Sequence, residues 1–222
     1  MPLTILATYA PRKGYSKQEQ TEHWKQIQDI LDTIPEKHMI LWCADTIGQL
    51  GEIKENGETN TKIIGPNRIQ DKAEKGNGRQ SSQICMQQHT IPMNTWERAP
   101  LTKEEKRYIQ EQPDPVTAKK QIERDNLNTW ISPGGKTTRQ IDYITINHKY
   151  RNCVQRAWPI QNWRGDETQQ RQHAVIRMDI TLNLIQKYYK PHIKETGTQI
   201  QYDIQQLKDN PSKMDLWYKQ RK

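Results

Sequence analysis

Apolar residues in this chain fall into short runs and stripes separated by long polar stretches. Leu3-Thr4-Ile5-Leu6-Ala7-Thr8-Tyr9 is apolar at both parities, which predicts an inner strand buried on two faces. Ala10-Pro11-Arg12-Lys13-Gly14 breaks it. From Ser16 the period becomes helical. Trp24, Ile27, Ile30, Leu31 and Ile34 share one stripe, Ser16 and Glu19 have capping-box spacing, and Pro35 ends the helix. Met39 to Trp42 then opens a second buried strand that runs into Asp45 and the glycines Gly48 and Gly51.

Glu52 to Gly78 is polar and aperiodic, and reads as a long surface loop with a short strand at Lys62-Ile63-Ile64. Asn77 to His89 reads as a helix with Ile84, Cys85 and Gln88 toward the core, and Ile91 to Trp96 as a strand. Leu101 to Arg124 is strongly charged. It is expected to be a solvated, partly helical insertion interrupted by Pro113 and Pro115. Asn128 to Ser132 and Gln140 to Ile146 flank the turn Pro133-Gly134-Gly135-Lys136 and predict a hairpin. Val154 to Ile160 is another strand, and Gly165 to Gln172 a polar loop. His173 to Leu182 alternates, with Ala174, Ile176, Met178, Ile180 and Leu182 on one side. Beyond Asn183, Lys and Arg outnumber Asp and Glu and periodicity is lost. Helices alternate with strands early and strands cluster late, so the class is layered α/β (α+β) with mixed sheets.

Composition narrows this picture. The chain has 222 residues, enough for one sizeable domain or one domain with an arm. Apolar residues are only 32% of it, a low fraction that seven Trp and nine Tyr partly offset. The net charge of +8 favours polyanionic partners, DNA or RNA, although basic structural proteins share it. Cys43, Cys85 and Cys153 are widely spaced among apolar neighbours. They fit reduced thiols in a nucleus or cytoplasm, not a disulfide framework or a zinc site. No run approaches transmembrane length, and the first residues do not make a signal peptide.

Candidate chemistry gathers at strand ends. Tyr9 closes the first strand and Asp45 the second. Asp142 opens a later strand in Arg139-Gln140-Ile141-Asp142-Tyr143, and His173 opens the last. Side chains at strand ends are held rigidly at the rim of a sheet, where they can converge. The structural alternatives are packing for Tyr9, turn capping for Asp45, hairpin capping for Asp142 and a satisfied surface His173.

The order of these pieces resembles the endonuclease/exonuclease/phosphatase superfamily, and within it the apurinic-like endonuclease domain of LINE-type retrotransposons. The matching pieces are Thr8-Tyr9-Ala10-Pro11, Ala44-Asp45-Thr46, Asn77-Gly78-Arg79, Asn94-Thr95-Trp96, Thr129-Trp130, Arg139 to Ile144 and Gln172-His173-Ala174-Val175. Tyr202 to Asp209 is similar to the linker that follows that domain. The resemblance implies a four-layer β-sandwich flanked by helices over residues 1–185, with residues 186–222 as a basic linker or arm. It implies phosphodiester hydrolysis assisted by Mg2+. Tyr9 would stabilise phosphate charge, Asp45 would act as base or metal ligand, and Asp142 would orient His173. Apart from the resemblance, the basic residues Arg12, Lys13 and Arg139 are candidates to contact nucleic acid.

Two positions depart from the family pattern. Its D-x-N motif reads Asp45-Thr46-Ile47, and Ile47 cannot donate a hydrogen bond to phosphate. Its S-D-H motif reads Arg171-Gln172-His173, so a carboxylate is replaced by neutral Gln172. The resemblance also starts at the strand bearing Tyr9, as in an N-terminally truncated domain, without the family's Asn and metal-binding Glu. Three functions follow as expectations. The first is a catalytically degenerate relative, a pseudoenzyme acting as a binding or scaffold subunit, with another protein chain covering the exposed sheet. The second is an active Mg2+-dependent nuclease completed by a partner chain or by a residue such as Glu52. The third is a non-specific nucleic-acid-binding protein.

Overall fold

The structure is a computed structural model, and it describes residues 2–12, 14–55, 57–160 and 172–182. Lys13, most of the polar loop up to Arg171, and the basic segment from Asn183 onward lie outside the described residues.

β1 (Leu3–Tyr9) leads through a turn into α1 (Lys17–Thr33) and returns as β2 (Met39–Asp45). The Ser16–Glu19 capping box forms as its spacing predicts, with Oγ and carboxylate each bonding the other residue's backbone N–H. Trp24, Ile27 and Leu31 are buried. Ile30, expected in the same stripe, is exposed. A small hairpin follows, β3 (Lys54–Glu55) and β4 (Glu58–Thr59). The strand expected at Lys62–Ile64 does not form. Ile63 and Ile64 are buried in a turn whose two N–H groups both bond the Asn60 carbonyl.

α2 (Asn77–Gln87) and β5 (Thr90–Pro92) come next, and β5 passes into a 3-10 turn at Met93–Thr95, so the expected strand to Trp96 is halved. The charged insertion is a pair of helices, α3 (Lys103–Glu111) and α4 (Pro115–Asp125). Pro115 starts α4 and does not interrupt it, with Asp114 as N-cap. β6 (Trp130–Ile131) pairs with β7 (Thr138–Arg139), while β8 (Asp142–Asn147) leaves that hairpin for the main sheet. The expected partner strand Gln140–Ile146 is thus not the partner of β6: that role falls to Thr138–Arg139 just before it, and its own strand starts only at Asp142. A 3-10 turn (His148–Cys153), β9 (Val154–Ile160) and β10 (Val175–Ile180) complete the described chain.

The central sheet is mixed, in the order β1-β2-β8-β5, with β1 parallel to β2 and the other pairs antiparallel. Ile40, Trp42 and Ala44 of β2 sit on its more deeply buried face. Leu31 of α1, Gln88 after α2 and Ile40 line one cavity, which puts both helices on that face. β9 and β10 form a separate antiparallel pair that packs on the core through Ala157, Met178 and Ile180. The architecture is therefore a mixed α/β fold with a central sheet and flanking helices.

β1 differs from expectation in one respect. Among the described residues it pairs only with β2 and so forms an edge, not an inner strand. Its outward parity carries Leu3 and Ile5, which are 48% and 65% exposed. No helix among the described residues is long and apolar enough to cross a membrane.

Candidate phosphate-handling site

The sheet register brings the candidate residues into one row. Tyr9 is the partner of Asp45 across the β1–β2 pair, and Asp45 is the partner of Asp142 across the β2–β8 pair. Partnered residues project to the same side, so all three share a face at one end of the sheet. His173 arrives from the segment before β10. Its backbone bridges Trp130, flanked by hydrogen bonds from Ile131 N to Gln172 O and from Ala174 N to Thr129 O.

The His173 ring lies between the two acids. Nδ1 is 3.1 Å from Asp142 Oδ2, and Nε2 is 4.0 Å from Asp45 Oδ2. With Asp142 ionised, Nδ1 must donate, so a neutral ring presents its Nε2 lone pair on the Asp45 side. Burial pushes the Asp45 carboxyl above its ordinary value, against the opposing pull of the Ile47 N–H, His173 and Arg12. Asp142 is also raised, first by burial and then by the neighbouring Asp45 charge, while His173 and Thr129 act the other way.

The backbone under these side chains is fixed by buried polar groups. Thr129 Oγ1 accepts from both Ile141 N and Asp142 N at 2.9 Å. Asn94 donates to Asp142 O and accepts from Ile144 N. Thr46 N donates to Ile141 O at 2.8 Å, and its hydroxyl lies within reach of that carbonyl and, closer, of Gly48 O. Gly48 lies against the start of α2, where a Cβ would sit 2.3 Å from Gly78 N, so the loop after Asp45 has no room for a side chain there. Thr129 and Asn94 were legible as pieces of the resemblance. Their positioning role was not, because their partners are distant in sequence.

Asp45 and His173 open on a cleft of about 500 Å³ whose lining includes Tyr9, Arg12, Ile47, Trp130, Arg139 and Gln172. Arg12 Nε donates to Tyr9 Oη at 3.0 Å, which holds a guanidinium at the mouth. Arg139 is paired with Glu74 at 3.1 Å and so is partly neutralised. Ile47 has φ +51°, the left-handed region that a β-branched residue rarely adopts, and its N–H donates to Asp45 Oδ1. Its side chain contributes no donor. Glu52 is not in the acid cluster.

Asp45, Asp142 and His173 each offer one ligand atom, and these atoms lie within 4.8 Å of one another. Two carboxylates suit a hard divalent cation, and an imidazole in the set moves the preference from Mg2+ toward Mn2+ or Zn2+. The donors therefore fit a divalent ion, which would offset negative charge on a phosphate oxygen.

No family model matches the sequence. Craniofacial development protein 2 of Bos taurus is 24% identical over 155 residues, covering 70% of this chain and 21% of that protein. The chain thus spans about a fifth of that relative's length. A 3′-5′ exonuclease, NExo, from Neisseria meningitidis superposes with a TM-score of 0.43 at 10% identity, over 74% of this chain and 54% of that one.

Proposed function

We propose that the chain is a distant relative of the endonuclease/exonuclease/phosphatase superfamily whose site binds a phosphodiester and cleaves it poorly or not at all. The observation that carries this reading is the His173 ring between Asp142 and Asp45, beside Tyr9 and Arg12 in one cleft. Such a pair can position a base near a phosphate, and Arg12 supplies attraction for an anion. Loss of cleavage follows from Ile47 and Gln172. Removing one preorganised donor from such a site costs about 10²–10³ in rate. Residues 1–185 would form this domain and residues 186–222 a basic arm, giving weak, salt-sensitive binding to DNA or RNA.

The test is nicking of supercoiled plasmid and of abasic duplex with Mg2+ or Mn2+. No turnover above buffer is expected, alongside nucleic-acid binding that weakens as salt rises. Clear nicking that disappears in His173→Ala would overturn the degenerate reading.

The open β1 edge favours a second reading, an active enzyme completed by another chain. Leu3 and Ile5 leave exposed apolar side chains along the strand that ends at Tyr9, and an unpaired strand edge invites a further strand. Nicking seen only with a co-purifying protein, and lost with Ile5→Lys, would favour it.

A further inference from the structure

A second cavity, of about 520 Å³, adjoins the acid cleft and shares Tyr9 and Arg12 with it. Its other walls come from Ala10 and Pro11 in the turn after β1 and from Tyr15, Glu19 and His23 around the start of α1. Tyr9 and Tyr15 are each about half exposed, 53% and 54%, so both rings are open to solvent at this cavity. Tyr15 is held at both backbone ends: its N–H donates to Arg12 O, and its carbonyl accepts from Gln20 Nε2. The ring is thus presented by a fixed turn.

The polar groups here differ from those of the acid cleft. Glu19 is committed to the Ser16 backbone and stays ionised through that bond, so a second phosphate is disfavoured. His23 packs edge-on against Trp24, and its Nε2 is shielded from solvent without a partner. Burial lowers its pKa and so disfavours the protonated ring. Among the described lining residues Arg12 is the one cation, and it stands between the two cavities. A flat, uncharged ring with polar edges suits this space better than an anion does.

We propose that Tyr15, with Tyr9 and Arg12, forms a subsite for an unpaired nucleobase carried next to the phosphate at the acid cleft. This rests on the phosphodiester reading above and deepens it, because it selects single-stranded or locally unpaired nucleic acid over base-free phosphate esters. Stacking on an aromatic ring is sequence-tolerant, so no base preference is expected.

The experiment is a low-salt fluorescence titration of the full chain with a short single-stranded oligonucleotide containing 2-aminopurine. A base-free sugar-phosphate oligomer of equal length competes against it. Wild type should quench the 2-aminopurine and bind the base-containing strand roughly tenfold tighter than the base-free one. Tyr15→Ala should lose the quench and most of that preference, and Tyr15→Phe should keep both. Equal affinity of wild type for the two oligomers, or a Tyr15→Ala titration identical to wild type, overturns the subsite. If the base-free oligomer still binds and Arg12→Ala weakens it, the phosphodiester reading survives that failure. No binding of either oligomer removes both.

Discussion

Ile47 offers the sharpest test of how the site is built. Its φ of +51° costs an ordinary L-residue about 1–2 kcal/mol, because Cβ crowds the following carbonyl. Changing Ile47 to Ala or to Gly removes the same half-buried side chain, so the packing loss is nearly common to both. Two effects separate them. The more flexible unfolded chain disfavours Gly by about 0.4–1 kcal/mol, and relief of the left-handed strain favours Gly by about 1–2 kcal/mol. The strain is larger, so Ile47→Gly should be more stable than Ile47→Ala by about 0.5–1 kcal/mol, the reverse of the usual order. Urea denaturation followed by tryptophan fluorescence would read this as a higher midpoint at equal slope. Ile47→Asn tolerates the same backbone and adds an amide at the cleft wall. It should match the Gly variant in stability and bind phosphodiester more tightly than wild type. An Ala variant as stable as the Gly variant would refute strain at this position.

Thr129→Ala should lose about 2–3 kcal/mol, because two buried N–H groups, of Ile141 and Asp142, are left without an acceptor; the same denaturation assay checks it. Asp45→Asn tests the paired acids. Both carboxyls have folded-state pKa values raised above the ordinary 3.8, so the folded chain holds protons more tightly than the unfolded one. Their effect on stability is most favourable below that value and is lost as pH rises through the raised values. Wild type should therefore gain on Asp45→Asn as pH falls, and the Asn variant should hold its relative advantage at neutral pH. A thermal melting series from pH 4 to pH 8 reads the difference, and a constant gap across that range would refute it. A divalent cation should reverse the ranking at neutral pH, raising the melting temperature of wild type and not of Asp45→Asn, if the cluster binds one.

Local chemistry was legible in the sequence, and tertiary choices were less so. The Ser16–Glu19 box, the Pro35 stop and the span of β9 depend on neighbours a few residues away, and they form where the pattern puts them. The break between β7 and β8 depends on Thr129 taking both N–H groups, a contact across more than ten residues. Alternation along Gln140–Ile146 gave no sign of it. The two-sided apolar character of β1 likewise describes what the strand can bury. Whether anything covers it depends on what lies beside it, and among the described residues only β2 does. Ile63 and Ile64 carried strand-like side chains, yet Asn60, fully buried, ties them into a turn.

Folding needs explain some of the site and leave the rest. Asp45 caps the turn to Ile47, and that alone would keep a small acceptor at position 45. Asp142 is another matter. Its side chain is 18% exposed beside a second acid, and burial and repulsion both disfavour its charge. His173 is 43% exposed, and its ring bonds Asp142 without closing any core contact. A structural site would gain more from Asn at position 142 and from any polar residue at 173. Two partly buried carboxylates gathered around an exposed imidazole cost stability and contribute little packing. Their juxtaposition is better explained by what they can do to a ligand than by what they do for the fold.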